Sequence, residues 1–357
     1  MTPITFSLPT GTLQLAIARE EWPRDALFAV GARQNPKRGF LFVSKVLGKH
    51  WPVTPQTLER VHDALAAKLP APSGATLFIG MAETATGLAQ GVFESWLARH
   101  AGAPALYVHT SRLRVADAPI CPFEESHSHA AQQWLHLPAQ PLADVRTLIL
   151  IDDELSTGNT FRALQRALAA HLPQLCDIHW LCATDFSPPA EDGITRHSLL
   201  QGQWQFAPAA IAAQAPAAQG QPVTIVDSGF GRLGIDHAVR LPANLVPHDI
   251  RATDKVLVLG TGEFIHPAAV LARLIAAHSG ARVHLQSSTR SPALAWGALA
   301  HKRPFADPYD EGVPYYLYNV ADGQYDRILI CHEHPANAAL RATAAALGAR
   351  LIHLTPA

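Results

Sequence analysis

LILIDDELSTGNT, residues 148–160, runs from an apolar segment into two acidic residues, a turn of small residues and the start of a helix. Its four aliphatic residues are typical of a parallel strand covered on both faces. The residues that follow, FRALQRALAAHL, have helical apolar spacing. The turn therefore lies at a helix N-terminus, where free backbone N–H groups and the helix dipole favour a bound anion.

The turn also contains side chains that suit an anion. Gly158 allows the main chain to approach the anion closely, and the neighbouring hydroxyls add donors. The alternative is an ordinary turn in which Asp153 only caps the helix, but a cap requires one carboxylate and no hydroxyl-glycine loop. The candidate anion-binding residues are Ser156, Thr157, Gly158, Asn159 and Thr160, and Asp152 and Asp153 precede them.

This segment resembles the phosphoribosyl diphosphate (PRPP) signature of type I phosphoribosyltransferases. In that family two acidic residues hold the ribose hydroxyls, here Asp152 and Asp153, and a Thr-Gly-x-Thr turn wraps the 5′-phosphate. Purine-salvage members have a catalytic Asp at the position of Ser156, whereas the orotate branch has a hydroxyl there, so the resemblance is to the orotate branch. It implies an α/β fold with a Rossmann-like parallel sheet, and Mg²⁺ bound through PRPP near the two aspartates without a direct protein ligand.

Length and composition indicate a globular protein with room for two domains. The chain has 357 residues, and its 28 basic and 29 acidic side chains give a net charge of −1, so neither nucleic acid nor a membrane surface is indicated as a partner. The four cysteines lie far apart, which favours free thiols in a reducing compartment. No signal-peptide pattern begins the chain, and no window approaches the roughly 18 apolar residues of a membrane helix, so we expect a cytoplasmic protein.

A basic segment near the N-terminus is a candidate for contact with a phosphate-rich ligand. Its members are Arg33, Lys37, Arg38, Lys45 and Lys49, and a solvated surface is the alternative. The runs NPKRGF and SKVLGKH, which begin at residues 35 and 44, resemble the tellurite-resistance gene-cluster branch of phosphoribosyltransferases. That resemblance implies a biosynthetic step towards a nucleoside-like metabolite.

A second strand-turn-helix pattern spans residues 75–99. In type I enzymes the turn after this strand contacts pyrophosphate, which implies Glu83, Thr84 and Ala85 here. An ordinary strand-to-helix loop is the alternative. Many members have a cation in this turn and this chain has none, so we expect the positive charge to come from Arg112, Arg114, Arg33, Lys37 or Arg38.

The segment after the strand at 105–109 is long and irregular. In orotate-type enzymes the segment at this place is a hood that closes over the reaction, and loops of more than about 12 residues are usually functional or disordered. Glu125, His127 and His129 are candidates for general acid or base catalysis, because imidazole titrates near neutral pH. A metal site formed by Glu124, His127 and His129 and a plain surface loop are the alternatives.

The pattern of the first half recurs about 180 residues further along. Gly260-Thr261-Gly262-Glu263, Ser288-Thr289-Arg290 and Cys331-His332-Glu333 follow strands and correspond to residues 80–83, 110–112 and 152–154. In the first half, the run LCDIHWLCATD, residues 175–185, predicts a further strand at the edge of the sheet. We expect a phosphoribosyltransferase domain at 1–206, a linker rich in Pro, Ala and Gln at 207–222, and a related but degenerate α/β domain at 223–357. This second domain resembles the TRSP domain, named for residues 289–292.

The second domain has lost the ribose-binding carboxylates but keeps polar residues at its loop tips. One hypothesis is a second anion or nucleotide-like ligand site formed by Gly260, Glu263, Thr289, Arg290 and Ser291; the other is a copy that only completes a packing surface. A metal site at Cys331-His332-Glu333-His334 is disfavoured, because neighbouring residues on a strand point opposite ways.

The function that the resemblance implies is PRPP-dependent transfer of a phosphoribosyl group to a small nucleobase-like acceptor, with release of pyrophosphate. Two alternatives use the same pocket. One is a PRPP-binding or nucleotide-binding regulator without turnover, and the other is the reverse reaction, as a nucleotide pyrophosphorylase or phosphorylase. A homodimer is compatible with the sequence, as is a monomer in which the two related domains mimic one.

Overall fold

The structure is a computed structural model that describes residues 3–35, 38–124, 132–189, 193–209 and 220–355, without the side chains of Glu124 and Gln132. The first half contains β1 (Ile4–Leu8), β2 (Gly11–Glu20), α1 (Arg24–Leu27), β3 (Phe28–Ala32), β4 (Phe40–Ser44), α2 (Pro55–Ala66), β5 (Ala75–Gly80), α3 (Thr86–Arg99), β6 (Ala105–His109), β7 (Arg114–Val115), β8 (Ile120–Glu124), β9 (Gln132–His136), β10 (Val145–Leu155), α4 (Asn159–Leu168), β11 (Asp177–Asp185) and β12 (Thr195–Pro208). The second half contains β13 (Thr224–Ile225), β14 (Lys255–Gly260), α5 (His266–Ser279), β15 (Arg282–Ser287), β16 (Lys302–Phe305), β17 (Tyr315–Tyr318), β18 (Arg327–His332), α6 (Ala338–Leu347) and β19 (Ala349–His353).

The sheet of the first half has the strand order β1-β2-β12-β11-β10-β5-β6. The strands from β12 to β6 are parallel, and the β1-β2 hairpin continues the sheet antiparallel to β12. The aliphatic run 148–151 in β10 is completely covered, as predicted for a central parallel strand. The sequence also predicted that β11 forms the edge of this sheet, which is wrong. Trp180, Leu181 and Cys182 in β11 are buried, and β12 covers the side of β11 that an edge strand would leave open.

The sheet of the second half has the order β15-β14-β18-β19, and all four strands are parallel. This is the order of β6-β5-β10-β11 in the first half. The register is repeated as well, because Ile79 pairs with Leu150 and Leu259 pairs with Ile330. The helices α3 and α5 follow corresponding strands, as do α4 and α6. The prediction of two halves with related α/β topology is therefore confirmed.

The two halves pack against each other through α3 and α5 and share their largest apolar cluster. Gly87 in α3 lies so close to Ile265 that a β-carbon would be 2.4 Å from its side chain. No helix in the described part of the chain is long and apolar enough to cross a membrane. All four cysteines are free thiols. The domain limits 1–206 and 223–357 stay a prediction, and residues 210–219 of the predicted linker lie outside the described residues.

Candidate active site

Strand β10 ends in three consecutive half-buried carboxylates, Asp152, Asp153 and Glu154. The backbone N–H of Asp153 donates to Oδ1 of Asp152 over 2.9 Å. Burial raises the pKa of the Asp153 carboxyl, and the charge of Glu154 acts in the same direction. Clustered carboxylate oxygens that are desolvated in this way suit hydroxyl donors and a hard cation. Asp152 and Asp153 therefore fit a ribose with Mg²⁺ nearby.

The predicted phosphate turn connects β10 to α4 and lies at the N-terminus of this helix, as predicted. Gly158 is the N-cap of α4 with φ of 75°. The backbone N–H of Asn159 donates to the hydroxyl of Thr157 over 3.3 Å. Thr157 and Asn159 are exposed and Ser156 and Thr160 are half-buried, so the turn is open to a ligand. The opposite face of α4 is apolar and anchors the helix on the sheet through Phe161, Leu164 and Leu168.

Arg162 completes this turn and was not predicted from the sequence. Its guanidinium donates to the carbonyl of Thr157 over 3.1 Å and lies 5.0 Å from the centre of the Trp180 ring. The helical spacing could have predicted this contact, because a residue four positions after Gly158 lies beside the first turn of the helix. Trp180 comes from β11, so its position depended on the strand order and not on the local pattern.

The basic segment contributes Arg38 to the same strand end. Arg38 donates to both carboxylate oxygens of Glu154, each over 2.6 Å, and its guanidinium lies 4.7 Å from the Phe40 ring and 5.6 Å from the Trp204 ring. Arg33 supports it by donating from Nε to the carbonyl of Arg38 over 2.9 Å, and burial lowers the pKa of Arg33 to about 10. Neither arginine is part of a solvated face. Lys37, also predicted here, lies outside the described residues.

The predicted pyrophosphate turn, with Glu83, Thr84 and Ala85, connects β5 to α3. It lies beside the end of β10, because Gly80 pairs with Ile151 and the N–H of Met81 donates to the carbonyl of Ile151 over 3.0 Å. We call residues 81–85 the diphosphate turn.

The diphosphate turn is held from β6 and from the hairpin β8-β9. The N–H of Ala82 donates to the hydroxyl of Thr110 over 2.8 Å, and Gln133 donates to the carbonyl of Ala82 over 3.2 Å. The 110–112 segment and the hairpin β8-β9 therefore position the turn. This hairpin lies in the segment that was predicted to be an irregular hood.

Positive charge reaches the diphosphate turn from two distant segments. Lys49 lies 2.5 Å from Oε1 of Glu83, and Nε of Arg290 lies 3.3 Å from Oε2. Burial alone would raise the pKa of Glu83, but Lys49, Arg290 and Arg112 together lower it. The sequence predicts Arg112 as a source of this charge. It predicts Lys49 only as a member of the basic segment, and Arg290 only as part of a ligand site in the second domain. Arg114 is exposed and lies 5.7 Å from the Trp134 ring.

The residues of the hypothetical second ligand site contact other protein groups, and Glu263 and Arg290 do so across the contact between the halves. Glu263 accepts hydrogen bonds from the Ser111 hydroxyl over 2.7 Å and from the Arg112 N–H over 2.6 Å. Thr289 accepts from the Ser291 N–H over 3.2 Å, Arg290 contacts Glu83, and a β-carbon at Gly260 would lie 2.4 Å from the Phe264 carbonyl oxygen. This geometry favours the packing alternative that the sequence left open.

The place in the second half that corresponds to the predicted ribose site is filled by the protein itself. Glu333, the counterpart of Glu154, accepts from Arg232 over 2.5 and 2.8 Å, from Ser228 over 2.6 Å, and from the hydroxyl of Tyr309. Burial opposes the charge of Glu333, but Arg232 outweighs it and lowers the pKa of this carboxyl to about 2. Arg232 and Glu333 therefore form a buried ion pair where the first half has an open strand end.

The segment predicted as a hood is described in its first and last parts only. Strands β8 and β9 form an antiparallel hairpin, and β8 packs against α4. A crevice of about 470 Å³ lies between them, lined in part by Phe123, Asn159, Arg162 and Arg166. The three predicted acid–base residues, Glu125, His127 and His129, lie outside the described residues, as do the other residues of 125–131.

Comparisons with known proteins agree with this architecture. Residues 27–214 match the family model described as phosphoribosyl transferase, and residues 231–347 match the model of the TRSP domain that lies C-terminal to that transferase. The first match spans more than half of the chain. A search of curated proteins found no match.

Several solved structures resemble part of the chain. The adenine phosphoribosyltransferase from Rhodothermus marinus has 17% identity and a TM-score of 0.34, and the match covers 50% of this chain and 95% of that one. The adenine phosphoribosyl transferase from Trypanosoma brucei, in complex with AMP, pyrophosphate and ribose-5-phosphate, has 11% identity and a TM-score of 0.35, with coverage of 56% and 87%. The orotate phosphoribosyltransferase from Mycobacterium tuberculosis has 15% identity and a TM-score of 0.28, with coverage of 50% and 91%.

Proposed function

The chain belongs to the phosphoribosyl transferase family and is a pentosyltransferase, and from this premise we propose that it transfers the 5-phosphoribosyl group of PRPP to a nucleobase-like acceptor and releases pyrophosphate. One observation carries the proposal. Asp152 and Asp153 end the same strand whose following turn, at Gly158, presents the open N-terminus of α4. The product would be a nucleotide-like precursor of a nucleoside-like metabolite, made in the cytoplasm.

The residues around β10 would bind the sugar phosphate. Backbone N–H groups and hydroxyls at 156–160 suit the 5′-phosphate, because a helix N-terminus with free donors favours an anion. Asp152 and Asp153 suit the ribose hydroxyls, which would donate to the carboxylates. Binding at both ends of the sugar would fix the anomeric carbon relative to the acceptor.

The leaving group would be stabilised at the diphosphate turn. Cleavage at the anomeric carbon develops positive charge on the sugar ring and negative charge on the departing pyrophosphate. Lys49, Arg112 and Arg290 place positive charge around Glu83 and together lower its pKa. Positive charge beside the leaving group would favour its departure. Mg²⁺ bound with PRPP near Asp152 and Asp153 would neutralise further charge on the diphosphate.

We assign proton transfer to or from the acceptor to Glu125, His127 and His129, on chemical grounds alone. These residues belong to the hood segment, and imidazole titrates near neutral pH. Their roles stay a prediction. The Arg38–Glu154 pair, beside the Phe40 and Trp204 rings, suits one edge of an acceptor pocket.

The direct test is incubation of the protein with PRPP, Mg²⁺ and a panel of nucleobases, with measurement of released pyrophosphate and mass analysis of the product. We expect release that depends on one class of base and is lost in a variant with both Asp152→Asn and Asp153→Asn. PRPP binding without release in any combination would favour the regulator alternative. Absence of PRPP binding would contradict the proposal.

A further inference from the structure

The C-terminal half contributes directly to the surroundings of the diphosphate turn. We propose that this half completes the transferase site, and that Arg290 is the positioning residue through which it holds Glu83 and sets the charge beside the leaving pyrophosphate. The inference rests on the proposed function, because it concerns the same reaction. It assigns to the TRSP half a task in PRPP binding rather than a ligand of its own.

Arg290 is fixed on the side of the second half. Its Nη2 donates to Glu311 over 2.6 Å, and its Nε donates to the hydroxyl of Tyr315 over 2.9 Å. The same Nε lies 3.3 Å from Glu83, and only 16% of the Arg290 side chain is exposed. Because Nε and Nη2 are engaged in this way, the role assigned to Arg290 is to position Glu83, and its effect on a ligand is exerted through Glu83.

The contact is reciprocal, which argues against a chance packing of two surfaces. Glu83 of the first half is held by Arg290 of the second, and Glu263, which occupies the place of Glu83 in the repeat, is held by Ser111 and the N–H of Arg112. Ser111 and Arg112 correspond in turn to Thr289 and Arg290. Each half therefore holds the acidic turn of the other.

The surrounding chain keeps Arg290 in place from both directions. After Arg290, the segment pairs with the end of β3: Ala293 forms a bridge with Arg33, and the N–H of Leu294 donates to the carbonyl of Ala32 over 2.8 Å. Before it, the N–H of Ser288 donates to the carbonyl of Gly260 over 3.1 Å. The TRSP segment thus connects the basic segment to the diphosphate turn.

The charge balance explains why the turn requires this support. No residue of the diphosphate turn carries positive charge, and Glu83 alone would place a buried negative charge beside the pyrophosphate. Lys49, which is only 1% exposed, offsets that charge. Arg290 adds a further cation, so its loss leaves the turn less positive and less fixed where the leaving group would lie.

Calorimetric titration of three ligands tests the inference, namely PRPP with Mg²⁺, pyrophosphate with Mg²⁺, and ribose 5-phosphate. The proteins are the parent, Arg290→Gln, Arg290→Lys and the control Arg303→Gln, which removes an arginine of the same half that pairs with exposed Asp322. We expect Arg290→Gln to weaken PRPP and pyrophosphate by about tenfold or more and to leave ribose 5-phosphate within about twofold. Arg290→Lys should restore part of the loss, the control should match the parent, and the KM for PRPP should rise more than kcat falls.

Two results would overturn the inference while leaving the proposed function intact. One is parent-like affinity of Arg290→Gln for PRPP and pyrophosphate. The other is an equal loss for ribose 5-phosphate, which would indicate general damage to the fold. If Arg290→Gln does not fold, Arg290→Lys gives the same comparison, because lysine keeps the charge but cannot reach Glu83 and Glu311 with one planar group. A parent protein that binds no PRPP would instead overturn the proposed function.

Discussion

Gly158 lies against the indole ring of Trp180, so that a β-carbon at Gly158 would be 2.5 Å from the ring. Gly158 also has φ of 75°, a conformation that side chains with a β-carbon rarely adopt. The phosphate turn is thus shaped from two sides, by its own backbone and by a residue of the neighbouring strand β11. Arg162 stacks on the same ring and donates to the turn.

We therefore expect Gly158→Ala to weaken both the fold and phosphate binding. The left-handed backbone costs about 1 kcal/mol for alanine, and the clash with Trp180 adds about 1–3 kcal/mol of overpacking. Denaturant unfolding and calorimetry with ribose 5-phosphate measure the two effects. Gly102→Ala is the matched control, because Gly102 has φ of 80° and nothing within 4 Å of the added β-carbon. Equal effects of the two variants would contradict the role of the Trp180 contact.

Asp153→Asn separates catalysis from stability. If the carboxylate orients the ribose, turnover should fall by roughly 100-fold or more, as for the loss of other groups that stabilise developing charge. Because burial raises the pKa of Asp153, its charge is unfavourable in the fold, so the neutral asparagine should leave stability unchanged or increased. Pyrophosphate release and thermal unfolding check both statements. Asp322→Asn, which alters an exposed carboxylate, should behave as the parent. Near-normal turnover would contradict the assignment.

The ion pair of Arg232 and Glu333 predicts a strong effect on stability. Glu333→Gln removes the nearer carboxylate of the buried Arg232 guanidinium and leaves only Glu263, at 3.4 Å, so it should cost about 3 kcal/mol of the free energy of unfolding. The pKa of Glu333, about 2, lies below its ordinary value of 4.5, so its stabilisation is present above pH 4.5 and is lost as the pH falls towards 2. Urea unfolding at pH 3 and pH 7 measures this difference. Asp236→Asn, at an exposed pair with His237, should show no such change. Equal stability of Glu333→Gln and the parent at pH 7 would exclude this role.

The elements that depend on local pattern were predictable from the sequence. The aliphatic run, the two aspartates and the turn at Gly158 are consecutive, so strand, site and helix start could be placed together. The repeat was visible because corresponding turns lie at the ends of corresponding strands. The repeat predicts Glu263 and Arg290 as residues of interest, but it does not predict that they pair with Arg112 and Glu83 of the first half.

Partners far apart in the chain could not be predicted in the same way. Glu83 is paired with Lys49 from an earlier segment and with Arg290 from the other half, and no periodicity links these positions. The interior position of β11 was missed for a similar reason, since it depends on β12 and on the N-terminal hairpin that extends the sheet. Charge partners and strand neighbours are fixed by tertiary packing, and the sequence shows only that unpaired charges must find partners.

Glu311 predicts a pH dependence of opposite sign to that of Glu333. Burial raises the pKa of Glu311 to about 7, although Arg290 opposes this, so between pH 4.5 and 7 the folded protein holds a proton that the unfolded chain releases. The free energy of unfolding should therefore decrease as the pH rises through this range, by at most about 3 kcal/mol. Urea unfolding of the parent and of Glu311→Gln at pH 5, 6, 7 and 8 measures the difference.

The difference in the free energy of unfolding between the parent and Glu311→Gln should change with pH. The control Glu59→Gln, at an exposed glutamate, should show the same pH dependence as the parent. A constant gap would show that Glu311 does not titrate in this range. Because the ionised form holds Arg290 more strongly, a confirmed shift would also make the support of the diphosphate turn depend on pH near neutrality.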